Sequence, residues 1–196
     1  DNEVFLFDGT NTTQLTDNSY YDHTPAISGS NVVWRGYDGN DQEIFFYDGT
    51  NTTNLSNNSY DDYGPAISGS NVVWHGFDGS DYEIFLSDGT NTTQLTNNSY
   101  DDYSRAISGS NVVWSGYDGN DYEIFLYDGT NTTQLTDNDY TDRSPAISGS
   151  NIVWSGRDDD DQEIFLYDGS TITQLTDNSY SDFQPDVSGS TVVWAG

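Results

Sequence analysis

The sequence has no cysteine, no methionine and no lysine, only four arginines and four prolines, and no apolar run long enough to span a bilayer. Without cysteine there is no disulfide framework, no thiolate nucleophile and no sulfur-ligated zinc. Four basic residues against 33 Asp and Glu leave a formal charge of −29, which excludes electrostatic affinity for nucleic acid or anionic membranes and points to metal cations or basic surfaces. The missing apolar run excludes membrane insertion by a helix and a recognisable secretion leader. Absent methionine suggests an excised or processed segment of a longer product, and strong negative charge without lysine leads to the expectation of an extracellular or cell-surface location. A mean hydropathy of −0.73 with this charge would favour disorder, but five Trp, fifteen Tyr and nine Phe at regular spacing supply the burial that disordered chains lack.

That spacing is the main signal. Trp34, Trp74, Trp114, Trp154 and Trp194 recur every 40 residues, as do Gly9, Gly49, Gly89, Gly129 and Gly169. A period near 40 with four strand-like segments per unit predicts propeller blades. Ala66–Ser68, Val72–Trp74, Glu83–Leu86 and Thr93–Thr96 read as the four strands of one unit. Ser68-Gly69-Ser70-Asn71 and Asp88-Gly89-Thr90-Asn91 read as the tight turns joining them. Proline precedes four of the five first strands, with Arg105 in the remaining one.

The predicted fold is all-β: a five-bladed propeller spanning 1–196, with four antiparallel strands per blade. The last blade is expected to form from residues 1–16 with 185–196, closed by pairing of Thr191–Trp194 with Glu3–Leu6, which would hide two sheet edges. Pro145-Ala146-Ile147-Ser148-Gly149, Ile152-Val153-Trp154-Ser155 and Glu163-Ile164-Phe165-Leu166-Tyr167-Asp168-Gly169, followed by Leu175-Thr176, resemble the TolB-type, WD40-like propeller repeat. The resemblance covers every unit. It departs in a shorter repeat and in Ser-Gly-Ser-Asn where the family turn is Ser-Pro-Asp-Gly-like. It implies a propeller and its strand order, and leaves function open. The near identity of the units reads as recent internal amplification or a consensus design.

On that topology, two thirds of the acids fall in the loops of one face, Asp159 and Asp160 among them, while the turns of the other face barely vary between units. Positions 23 and 35 and their equivalents vary most: His, Tyr, Tyr, Arg, Phe and Arg, His, Ser, Ser, Ala. Asp-Gly-Asn-Asp-x-Glu, at Asp38–Glu43 and Asp118–Glu123, places oxygen ligands around a glycine as in the first part of a calcium loop, which makes Asp38, Asp41, Asp118 and Asp121 candidate ligands. Asp22, Asp62, Asp102, Asp142 and Asp182 are a second candidate set, expected near a channel rim where a cation would relieve their repulsion. The alternative is that each caps the entry to a first strand through its own backbone.

Tyr20, Tyr60, Tyr100, Tyr140 and Tyr180 stand beside these acids, with Tyr63 and Tyr103 adding rings. Rings with carboxylate acceptors can bind sugars, and repeated weak sites raise avidity for a polymer. Packing between blades is the alternative use. Catalysis has no anchor: equivalent units set no carboxylate apart from its fellows as a five-bladed glycosidase would require, and His23 and His75 occupy unrelated repeat positions. Asn11, Asn51, Asn57, Asn91, Asn97 and Asn131 begin Asn-x-Ser/Thr acceptor patterns. Two functions stay open: a non-enzymatic binding module for cations, glycans or a protein partner, with calcium as cofactor, and a structural repeat with no specific ligand.

Overall fold

A computed structural model describes residues 1–158 and 161–196, with the backbone alone at Ser104. The chain divides into two compact units, Asp1–Asn97 and Asn98–Gly196. All described elements are strands; accordingly, no helix is long and apolar enough to cross a membrane.

The first unit holds a two-stranded sheet, β1 (Phe5–Phe7) and β2 (Thr12–Gln14), and two four-stranded sheets. These are β3 (His23–Ser28), β4 (Asn31–Tyr37), β5 (Gln42–Tyr47) and β6 (Thr52–Asn54), then β7 (Asp62–Ser68), β8 (Asn71–Phe77), β9 (Tyr82–Ser87) and β10 (Thr92–Gln94). The second unit has two four-stranded sheets, β11 (Asp102–Ser108) to β14 (Thr132–Gln134) through β12 (Asn111–Tyr117) and β13 (Tyr122–Tyr127), and β15 (Arg143–Ser148) to β18 (Ile172–Gln174) through β16 (Asn151–Arg157) and β17 (Gln162–Tyr167). It ends in a two-stranded sheet, β19 (Phe183–Ser188) and β20 (Thr191–Ala195). Every ladder is antiparallel between sequence neighbours. The pairing expected between Thr191–Trp194 and Glu3–Leu6 is not among the ladders of either unit, and Phe5 and Trp194 are 59% and 45% exposed.

The second and third strands form the core because both their faces are covered. Val72, Val73, Trp74 and Ile84 are essentially inaccessible, as are their equivalents in the other complete sheets. Trp34, Trp74, Trp114 and Trp154 each stack on the cross-strand Phe of the same sheet, with ring centroids 5.7–5.9 Å apart. The Ser-Gly-Ser-Asn turns have a role beyond reversing the chain. The Gly69 N–H donates to Ser28 Oγ (2.8 Å) and Asn31 Nδ2 donates to the Gly69 carbonyl (2.9 Å), tying one sheet to the next; Gly149 and Gly189 repeat the clasp with Ser108 and Ser148. Gly69 can expose both backbone groups because it adopts φ +64°.

First strands run longer than expected. β7 starts at Asp62 rather than Ala66, so Pro65 lies inside the strand, not ahead of it. The ladder tolerates it because the register shifts between Tyr63 and Ala66, a bulge that recurs in every first strand. The residue before the proline takes a positive φ: Thr24 +49°, Gly64 +55°, Ser144 +56° and Gln184 +49°. Three of those four are not glycine, so strain is stored where position 23 and its equivalents leave the ladder.

Candidate functional site

The loop between second and third strands is a tight turn closed by its own first acid. Asp38 Oδ1 accepts the N–H groups of Asn40 (2.8 Å) and Asp41 (3.4 Å), and the Asp38 N–H donates to the Asp41 carbonyl (3.1 Å). The turn brings Asp41 back beside the first residues of β5, where Glu43 is completely buried. Carboxylate oxygens of Asp38, Asp41 and Glu43 consequently lie within 4.8 Å of one another, and the same triad recurs as Asp78, Asp81, Glu83; Asp118, Asp121, Glu123; and Asp158, Asp161, Glu163. Asp159 and Asp160, counted among the loop acids, lie outside the described residues. Asp38 is thus brought beside Asp41, and Asp118 beside Asp121. The buried third member was missed, although it stands at the end of the same Asp-Gly-Asn-Asp-x-Glu motif.

The triads are short of donors. Glu43 accepts from the Ser56 hydroxyl and from the Asn58 N–H (2.9 Å), and Glu123 accepts from the Asn138 N–H (2.7 Å). Asp41 Oδ1 and Asp121 Oδ1 are buried and have no hydrogen-bond donor among the described residues, while the Thr136 hydroxyl beside Glu123 opposes the effect of its burial. Burial, then the Asp38 charge, raises the Asp41 pKa, and burial followed by Asp118 does the same to Asp121. Burial pushes Glu123 up to about 7. Three all-oxygen ligands at this separation fit the 2.3–2.6 Å shell of Ca²⁺, leaving waters and carbonyls to complete its coordination. The absence of nitrogen or sulfur ligands disfavours zinc.

The second acidic set is buried inside the sheets. Asp22, Asp62, Asp102, Asp142 and Asp182 are all buried. Asp62 Oδ1 accepts from Trp74 Nε1 (2.8 Å) and its Oδ2 from Asn58 Nδ2 (2.6 Å); Asp22 and Asp142 do the same with Trp34 and Asn18, and with Trp154 and Asn138. The carboxylate lies flat against Gly36, Gly76, Gly116, Gly156 or Gly196, where a Cβ would collide with its Oδ1. Neither expectation for these residues described this arrangement. The Asp joins a tryptophan and an asparagine through its two carboxylate oxygens. Burial raises Asp62 to about 7 against the opposing bonds from Asn58 and Trp74.

The tyrosines divide into two groups. Tyr20, Tyr60 and Tyr100 stand edge-on to Tyr37, Phe77 and Tyr117 at 5.0–5.4 Å and are 40–43% exposed. Tyr180 is 73% exposed and Tyr140 half-buried. Tyr60 borders a cavity of about 670 Å³ with Asn40, Asp41, Asp61, Phe77 and Tyr82, which sets rings beside carboxylates there. Tyr63 and Tyr103 belong instead to the bulged layer, cross-strand from His75 and Ser115. Tyr63 stacks on His75, lies 5.2 Å below the Arg35 guanidinium and donates to Asp61 (2.8 Å). Burial, followed by the Asp61 bond, pushes its phenol to about 12.

Comparison with known proteins places the fold. No family model matches the chain, and no curated protein does. Among solved structures, a putative TolB from Agrobacterium tumefaciens is similar at a TM-score of 0.63 and 18% identity, over 84% of this chain and 69% of that one. The β-propeller domain of the Trilobed protease from Pyrococcus furiosus, described as having an open velcro topology, is similar at 0.67 and 11% identity, over 86% of this chain and 57% of that one. A chain of a nidogen/laminin complex is similar at 0.60 and 13% identity, over 93% and 75%. At these identities the likeness concerns fold alone. The chain has a TolB-like β-propeller fold built of antiparallel four-stranded sheets.

Proposed function

We propose that the chain is a non-enzymatic, calcium-loaded binding module of an extracellular or cell-surface protein, whose acidic and aromatic loop end meets a glycan or a protein partner. The observation that carries this reading is the repeated triad of Asp118, Asp121 and buried Glu123, in which the buried Asp121 Oδ1 has no donor among the described residues. Packing three carboxylates with no basic residue costs free energy that a divalent cation removes. The Tyr60 cavity beside Asp41 supplies the ring and acceptor surface for a polar partner. Five blades in one ring belong to the same reading. Its support is the register of the complete sheets: Trp34 faces Phe45 and Trp154 faces Phe165, so closure would set Trp194 against Phe5.

Proton uptake relieves the same repulsion without an ion, and burial does raise Glu43 and Asp41. That favours the second reading, a structural repeat with no specific ligand. Calorimetric titration of Ca²⁺ into chelator-stripped protein, with melting curves in Ca²⁺ and in EDTA, separates the two. Heat for about four similar sites and a higher melting temperature, worth roughly 2.7 kcal/mol per site at a hundredfold excess over Kd, support the calcium reading. Absent heat with superimposed melts leaves the structural repeat.

A further inference from the structure

The basic side chains are not scattered. Both histidines and two of the four arginines occupy the bulged layer, in the cross-strand pairs His23 with Arg35, Tyr63 with His75 and Arg143 with Ser155. These positions differ between units while the turns and the core stay the same. They also flank the strained residues, Ser144 and Gln184 among them. Strain, sequence difference and basic side chains therefore coincide at the bulge of the individual sheets, as expected where a rigid scaffold carries recognition.

Within the second unit this layer opens into a cavity of about 460 Å³ lined by Arg143, Ser144, Ser155, Gln162, Phe183 and Gln184, with no acid in its wall. The cavities at Tyr60, Asp128 and Asp22 each include a carboxylate, and this one does not among the described residues. Arg143 is exposed, lies 4.5 Å over the Tyr122 ring and has no carboxylate partner among the described residues. Its planar fork, pre-positioned on an aromatic face, matches an acid group that can take two parallel hydrogen bonds. Phe183, 43% exposed, offers a flat apolar face, and the Gln162 and Gln184 amides with the exposed Ser144 hydroxyl offer donors and acceptors for hydroxyls.

We propose that this cavity binds an anionic saccharide, with the acid group on the Arg143 guanidinium and the pyranose ring against Phe183. The inference rests on the glycan side of the function proposed above and names the ligand class, whether the acid is a uronate carboxylate or a sulfate ester. The global charge opposes an anion only over the screening length, about 8 Å at physiological salt.

The test is calorimetry at 0.15 M NaCl with three probes, an oligogalacturonate, a sulfated galactan oligomer and a neutral galactan oligomer, each with Ca²⁺ and with EDTA. Wild type is compared with Arg143→Gln, Phe183→Ala and Arg157→Gln, the last removing equal charge outside the cavity, and melting curves verify that each variant folds. At least one acidic probe should bind wild type in EDTA, about tenfold more weakly in Arg143→Gln and unchanged in Arg157→Gln, with the better probe identifying the acid. Equal affinity for the neutral oligomer, or binding insensitive to Arg143→Gln, overturns the proposal. So does binding of an acidic probe only when Ca²⁺ is present. Calcium heat without saccharide binding sinks this inference and leaves the calcium module standing; Arg143-dependent binding without calcium heat does the reverse.

Discussion

The two ends of each complete sheet are made from the same strands and behave oppositely. At the Ser-Gly-Ser-Asn end, side chains are small, backbone groups are shared between sheets, and every unit looks alike. At the bulged end the ladder slips, Thr24 and Ser144 sit at positive φ, carboxylates crowd together, and side chains differ from unit to unit. The difference shows how a repeat can hold one architecture while varying its surface. Backbone-mediated contacts demand the same small residues everywhere, and the bulge isolates the variable positions from those contacts.

The comparison is broken most severely at the core that joins the ends. Trp74→Ala removes a fully buried ring stacked on Phe85 and the donor to Asp62, and should cost about 3–5 kcal/mol in denaturant unfolding; Gly76→Ala should be comparably disruptive, because its Cβ meets the Asp62 carboxylate. A loss confined to under about 1 kcal/mol would show that the sheets repack freely.

pH tests the acidic end. Asp62 has a folded pKa of about 7 against an ordinary 3.8, so the folded state binds its proton more tightly than the unfolded chain does. The stability this contributes is complete below about pH 4 and is lost as pH rises through 7. Calcium-free protein should therefore melt several degrees higher at pH 5 than at pH 8, and Asp62→Asn, which keeps the acceptor for Trp74 Nε1, should flatten that slope. Melting temperatures that rise with pH in EDTA would contradict the burial argument.

The clasp end is probed by Ser148→Ala, which deprives the Gly189 N–H of its acceptor and should cost about 1 kcal/mol. Smallest of all, Gln184→Gly should stabilise by a few tenths to about 1 kcal/mol, since glycine accepts φ +49° without strain. If it destabilises, Gln184 holds its backbone through contacts that outweigh the strain.

Much of this was legible in the chain itself. The 40-residue period, the four strands of each unit, the Gly-centred turns and the Trp–Phe core follow from local alternation and turn chemistry, which need only neighbours in sequence. The Asp38 and Asp41 pair was legible for the same reason, both lying in one short turn. Tertiary structure decided the rest. Asp62 became a joint because Trp74, twelve residues on, and Gly76 lie beside it across the ladder. Glu43 completed a triad because β5 carries it into the interior behind the turn. Proline entered the first strand because a bulge relieved its missing N–H. Arg143 met Phe183 and Gln184 because two sheets pack side by side. Periodicity determines which residues become strands, and only the packing of one sheet on the next determines which side chains from different strands share a place.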